Sequence, residues 1–199
     1  MIRVGLTGSR FSGKDAAAKA FRQIGVPVFD ADAVLKFILN FDIEVNRSIV
    51  EGYGEYIFTG PGGTIDPKKM RSDADFDRLV DFAEHSLMSA FDRFCDQNSG
   101  SIYSIFHSSI LVERNWHDEM DYAISVFAPP SEIFFRQAAA KKNPAAKKEM
   151  DPLAKNKACD FVIHSYHSAL GDVMDQIGKI DQKIVDKFLD QKEWLIAQP

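Results

Sequence analysis

Apolar residues alternate at Ile2, Val4 and Leu6, stop at Gly8, and resume at helical spacing at Ala17, Ala20, Phe21 and Ile24. The first pattern has the period of a strand and the second that of an amphipathic helix, so the chain opens with a predicted strand, a glycine-bearing loop and a helix. Gly25 ends that helix, and Pro27-Val28-Phe29 reads as a short buried strand running into Asp30-Ala31-Asp32. Helices are predicted over 31–39, where Val34, Leu35 and Ile38 are apolar, and over 43–53 through Val45, Ile49, Val50 and Tyr53. Gly60-Pro61-Gly62-Gly63 then marks a turn-rich loop. Ser72 with Asp75 forms a capping-box pattern, opening a long helix whose stripe is Phe76, Leu79, Val80, Ala83, Leu87, Phe91 and Phe94. A third strand is predicted around Ile102, Tyr103, Ile105 and Phe106, and a fourth over Tyr122–Phe127, halted by Pro129-Pro130. A basic helical segment, a fifth strand at Phe161-Val162-Ile163 and an amphipathic helix through Leu170, Val173, Met174, Ile177, Ile184 and Phe188 complete an α/β alternation.

The loop after the first strand, Gly8-Ser-Arg-Phe-Ser-Gly-Lys-Asp15, satisfies G-x-x-x-x-G-K in the strand–loop–helix setting that a phosphate-binding loop requires. Gly8 and Gly13 let the backbone turn its N–H groups inward, the helix presents its positive end, and Lys14 adds a point charge near the outer phosphates. The position that normally supplies a hydroxyl to Mg²⁺ is Asp15, and Ala16 has none either. An aspartate binds Mg²⁺ directly or through water, so Asp15 is the metal candidate. Asp30 and Asp32 follow the second strand and are expected to face the same crevice as the loop, because ligands of open parallel sheets bind at the carboxyl edge. Asp30 is the better helix cap, which leaves Asp32 for chemistry. His85 falls opposite the stripe of the long helix, with Arg78, Asp81 and Asp92, and is expected at the surface. The cations after the fourth strand, Arg136, Lys141, Lys142, Lys147 and Lys148, stand where a kinase lid closes over phosphates.

Composition narrows this further. The chain has 199 residues, 45% of them hydrophobic, enough for one α/β core with appendages. The net charge of -5 argues against nucleic acid as the main partner. Cys95 and Cys159 have neither disulfide-framework nor zinc-site spacing, no run approaches a membrane span, and the first residues carry the loop motif instead of a signal peptide. The expectation is a soluble cytoplasmic protein, monomer or small homo-oligomer, whose partner is a small nucleotide, with neither nucleic acid nor membrane.

In order along the chain, Val4-Gly5-Leu6-Thr7-Gly8 with Ser12-Gly13-Lys14, Gly25 to Ala33 with its Asp-Ala-Asp, Tyr53-Gly54, Gly63 to Asp66 with Met70-Arg71, His85-Ser86-Leu87, Ile110 to Glu113 and Asp160 to Ile163 resemble the motifs of the dephospho-coenzyme A kinases. The resemblance implies a P-loop kinase fold: a five-stranded parallel sheet flanked by helices, with a helical substrate-side insertion at about 40–98 and a lid at about 131–152. It also implies ATP-dependent phosphorylation of the ribose 3′-hydroxyl of dephospho-CoA with Mg²⁺. Asp32 is then the base that accepts the hydroxyl proton, with Lys14 and the lid cation Arg136 as the other catalytic residues. Gly8, Ser9, Ser12, Gly13, Lys14 and Asp15 hold the nucleotide, and Thr7, Asp32, Arg71 and His85 contact the acceptor. The chain departs from the family at Asp15, at the lid, where Ile133, Arg136 and Ala140 stand for Gln, Arg and Arg, at Ser109-Ile110, which stand for Pro-Leu, and at Ser165 or Tyr166, which stands for a late Asn. Lys141 or Lys142 is a stand-in for the second arginine, without a guanidinium's bidentate geometry. Two other readings share the loop: a deoxynucleoside monophosphate kinase and a noncatalytic nucleotide-binding homologue.

Overall fold

The computed structural model describes residues 1–60, 63–70, 72–140, 150–166 and 170–196. The chain forms two compact units, one of residues 1–29 with 98–199 and one of residues 30–97.

The first unit is built on a five-stranded parallel sheet of β1 (Ile2–Gly8), β2 (Val28–Asp30), β3 (Tyr103–His107), β4 (Tyr122–Phe127) and β5 (Phe161–His164), in the order β2-β3-β1-β4-β5. The register sets Leu6 opposite His107 on one side of β1, and Gly8 opposite Val126 on the other. β1 is the central strand, and its side chains are buried apart from the partly exposed Arg3, as expected of a parallel strand covered on both faces. α1 (Lys14–Gln23) buries Ala17, Ala18, Ala20 and Phe21, and small alanines let it lie close to the sheet. The long α7 (Leu170–Ile196) adds Val173, Ile177, Ile180 and Ile184 to the same core at helical spacing. Ile24, predicted on the apolar face of α1, is instead its C-cap and 43% exposed. The helix closes there because Gly25, at φ +89°, turns the chain toward β2.

The second unit packs α2 (Ala31–Phe41), α3 (Ile43–Tyr53) and α4 (Asp73–Gln97) on one another. α4 buries Leu79, Val80, Ala83, Leu87 and Phe91 along one stripe, while Phe76 and Phe94 at its margins are half-buried. Asp75 supplies its own arm of the expected capping box, the Ser72 N–H donating to Asp75 Oδ2 at 3.1 Å, while the Asp75 N–H donates to the Ser72 backbone carbonyl at 3.2 Å. α2 runs two residues beyond the predicted Leu39, ending in the exposed pair Phe37 and Phe41, whose rings lie 5.2 Å apart. The unit takes in α2 together with the stretch expected as an insertion.

After β4, α5 spans Pro130–Ala139 and α6 spans Pro152–Lys157. Lys141, Lys142, Lys147 and Lys148 of the expected lid lie outside the described residues, as do Pro61, Gly62 and Arg71. α6 is anchored by Lys155, which is fully buried, donates to the Ser109 carbonyl at 2.8 Å and pairs with Glu113 Oε1 at 2.7 Å. A buried ammonium is tolerated only with such partners. Lys155→Met is expected to destabilise the chain by about 3 kcal/mol, the low end for a broken buried pair because Glu113 keeps some solvent contact. The double variant Lys155→Met/Glu113→Leu should recover most of that loss. Urea denaturation measures both, and equal stabilities of parent and single variant would show the pair contributes nothing.

Candidate functional site: a glycine loop braced from behind

The loop following β1 adopts a conformation that few residues permit. A Cβ on Gly8 would stand 2.5 Å from Ser12 Oγ and 2.7 Å from the Val126 carbonyl, so strand and loop approach as only glycine allows. The Ser12 N–H closes a turn on the Ser9 carbonyl at 3.0 Å, and Phe11 (φ 62°) and Gly13 (φ 100°) are both left-handed. Alternating handedness of this kind makes successive amides converge into an anion-binding concavity. Gly13 caps α1 without a side-chain hydrogen bond, and the first intrahelical bond is from Ala17 N–H to the Gly13 carbonyl. The amides of Lys14, Asp15 and Ala16 thus precede the helical ladder, at its positive end. Thr7 Oγ1, Ser9 Oγ and Ser12 Oγ are buried there and make no hydrogen bond within the protein. Buried hydroxyls normally have partners, so a polar ligand fits this loop.

Arg136 of α5 supports the loop. Its Nη1 donates to the carbonyls of Phe11 at 3.1 Å and Ser12 at 2.9 Å, its Nη2 to the Ser165 carbonyl at 3.2 Å and Ser165 Oγ at 3.1 Å, and its Nε to Glu132 Oε1 at 3.1 Å. In a trans peptide the N–H points opposite to the carbonyl, so holding the Ser12 carbonyl directs the Gly13 N–H away from the guanidinium. Next to this brace lies a cavity of about 310 Å³ lined by Gly13, Ala16, Val126, Arg136, Ser165, Tyr166 and Val173. Tyr166 stacks on His164 with ring centroids 5.7 Å apart.

At the first turn of α1, Lys14 Nζ lies 2.9 Å from Asp15 Oδ1, and His107 Nε2 lies 3.2 Å from the same oxygen. The bond from His107 holds the Asp15 carboxyl well below the usual carboxylate range. Some desolvation opposes this and Lys14 adds to it, so Asp15 is ionised at neutral pH. A lone carboxylate supplemented by phosphate oxygens and water is an ordinary Mg²⁺ environment, so Asp15 fits the ion; no cluster of three or more His, Cys, Asp or Glu occurs among the described residues.

The structure brings Thr7, Gly8, Ser9, Ser12, Gly13, Lys14, Asp15 and Arg136 together in the first unit. In the second unit, Asp30 is the N-cap of α2, accepting from the Ala33 N–H at 3.0 Å, and Asp32 is half-buried in the first turn of that helix. His85 is exposed on α4. Sequence reasoning passed over His107. Its signal was a polar residue at the carboxyl end of a strand, but its place beside the loop depends on the β1–β3 register.

The family model for dephospho-CoA kinase matches residues 2–160. The chain belongs to the dephospho-CoA kinase family. It is 26% identical over 196 residues to the dephospho-CoA kinase of Aquifex aeolicus (strain VF5), covering 92% of this chain and 98% of the relative. It is 29% identical over 198 residues to that of Rhodopseudomonas palustris (strain HaA2), covering 90% and 94%. Among solved structures, TT1252 from Thermus thermophilus superposes with a TM-score of 0.69 at 18% identity, over 92% of this chain and 96% of the other. The dephospho-CoA kinase from Campylobacter jejuni gives 0.62 at 16%, with the same coverage. Shikimate kinase from Bacteroides thetaiotaomicron gives 0.53 at 16%, over 92% and 98%. These likenesses establish the P-loop kinase fold, and membership of the dephospho-CoA kinase family makes the chain a phosphotransferase of coenzyme A biosynthesis.

Gly13→Ala would place a Cβ 2.8 Å from Ser165 Oγ and 3.2 Å from Arg136 Nη1, at a φ alanine resists. The expected outcome is ADP binding weakened by about tenfold or more, the equivalent of 1–3 kcal/mol of strain. Calorimetric titration reads it, and unchanged affinity would remove the loop from the site.

Proposed function

We propose that this chain transfers the γ-phosphate of ATP to the 3′-hydroxyl of dephospho-CoA, in the cytoplasm and with Mg²⁺. The observation that carries the reading is the loop itself: an uncapped helix terminus and three buried unbonded hydroxyls, inside a family match spanning most of the chain. Amides from Gly13 to Ala16, with Ser9 and Ser12, cradle the phosphates, and Lys14 turns from Asp15 to the outer phosphate as the nucleotide enters. The cavity beside the loop suits the adenine: Val126 and Val173 supply apolar wall and Tyr166 an aromatic ring.

Asp15 holds the metal ion, which when bound offsets charge on the phosphate oxygens. Asp32 accepts the proton of the 3′-hydroxyl as its oxygen bonds the γ-phosphorus in line with the β–γ bridging bond, which breaks to release ADP. Thr7, Arg71 and His85 orient the acceptor. Arg136 acts by shaping the loop: Nε, Nη1 and Nη2 all engage Glu132, loop carbonyls or Ser165, so of these two cations Lys14 is the one that acts on the transferring group. A braced loop lowers the reorganisation needed when the nucleotide arrives.

The test is ADP release with ATP and Mg²⁺, supplying dephospho-CoA or deoxynucleoside monophosphates in separate arms. Transfer to dephospho-CoA is expected, and transfer only to a monophosphate, or to neither, contradicts the reading. Asp32→Asn should keep ATP affinity while turnover falls by roughly a hundredfold, the usual contribution of a general base. Lys14→Ala should lower affinity and turnover together.

A further inference from the structure

The β1–β3 register sets His107 beside the loop that follows β1. The imidazole is buried, with Nε2 3.2 Å from Asp15 Oδ1 and 3.5 Å from Lys14 Nζ. These contacts make opposite demands on Nε2: an N–H for the carboxylate, or a lone pair for the ammonium. The carboxylate contact is the shorter, and 3.5 Å lies at the outer limit of a hydrogen bond, so Nε2–H donation to Asp15 is the favoured arrangement.

Phosphate-loop enzymes in general hold Mg²⁺ between a hydroxyl directly after the loop lysine and a carboxylate on a neighbouring strand. Here the residue after Lys14 is Asp15, and β3, one of the two strands paired with β1, ends in His107. A carboxylate stands where the hydroxyl belongs, and an imidazole, not a carboxylate, ends the neighbouring strand beside it. We infer that the two positions have exchanged roles: Asp15 is the carboxylate that serves the metal locus, and His107 is a positioning residue that orients it through Oδ1, leaving Oδ2 for the cation. This rests on the kinase reading of the loop. These two positions supply one carboxylate between them in either arrangement, so they present the ion with the same charge. A second one would repel both its neighbour and the triphosphate. The Asp15 side chain is 83% exposed, so the approach of an ion is open, while its inner oxygen is held from the buried side. Partners of this kind fix a ligand's orientation and tune metal affinity.

The test uses Mn²⁺ in place of Mg²⁺, with ADP and no acceptor, and reads free Mn²⁺ by electron paramagnetic resonance. Asp15→Ser and His107→Leu should each weaken Mn²⁺ binding to the ADP complex by about tenfold or more, while His107→Gln, which keeps a donor, loses less. Asp15→Ser/His107→Asp restores the common arrangement and should return to within about threefold of the parent, each Mn²⁺ affinity being read against that variant's own metal-free ADP affinity. A double variant no tighter than Asp15→Ser, or an Asp15→Ser variant equal to the parent, overturns the inference. Should the double variant fail to fold by circular dichroism, the contrast between His107→Leu and His107→Gln decides, and its absence is overturning. A parent chain that binds no ADP overturns the kinase reading as well, whereas one that binds Mn²⁺ and ADP but ignores residue 107 overturns the exchange alone.

Discussion

The hydrogen bonds from Arg136 to the carbonyls of Phe11 and Ser12 are the constraint on which the site depends. A turn with left-handed residues at Phe11 and Gly13 is not a low-energy shape for a free chain, and it persists only where the surroundings over-determine it. Three supports do so here. β1 fixes one end of the loop in the sheet, α1 fixes the other, and the guanidinium holds the peptide planes between them. The same guanidinium reaches Ser165 at the end of β5, so loop, α5 and the last strand form one hydrogen-bonded assembly.

Electrostatics follow from that assembly. The protein is acidic overall, yet α1 begins with an uncapped amide terminus and Lys14, a local positive field suited to an anion. Asp15 tempers that field. It lies against Lys14 and is itself held by His107, so the charges at the loop are mutually satisfied.

Local signals made much of this fold legible. Alternation at Ile2, Val4 and Leu6, the glycines of the loop, the stripe of α4 and the Pro129-Pro130 stop each report on a few neighbouring residues, and they correspond to β1, the loop, α4 and the end of β4. The limits of α3 agree with its apolar spacing because Asp42 caps it and Gly54, at φ 82°, ends it. What sequence could not supply depends on residues far apart. Arg136 read as a lid cation because its chemistry is that of one, but its bonds reach back 124 and 125 residues to the loop. His107 read as nothing because its role exists only in the pairing of β3 with β1. The exposed Ile24 is the reverse case: the periodicity was sound, but a glycine cap one residue later took the position out of the helix.

Hydrogen exchange of the backbone amides of residues 8–16, compared with and without ADP, tests the central claim most directly. A cradle of amides donating to phosphate predicts marked slowing at Gly13, Lys14, Asp15 and Ala16 on ADP binding, with the effect diminished in an Arg136→Lys variant. Binding of ADP with unaltered exchange at those amides, and protection elsewhere in the chain, would contradict it.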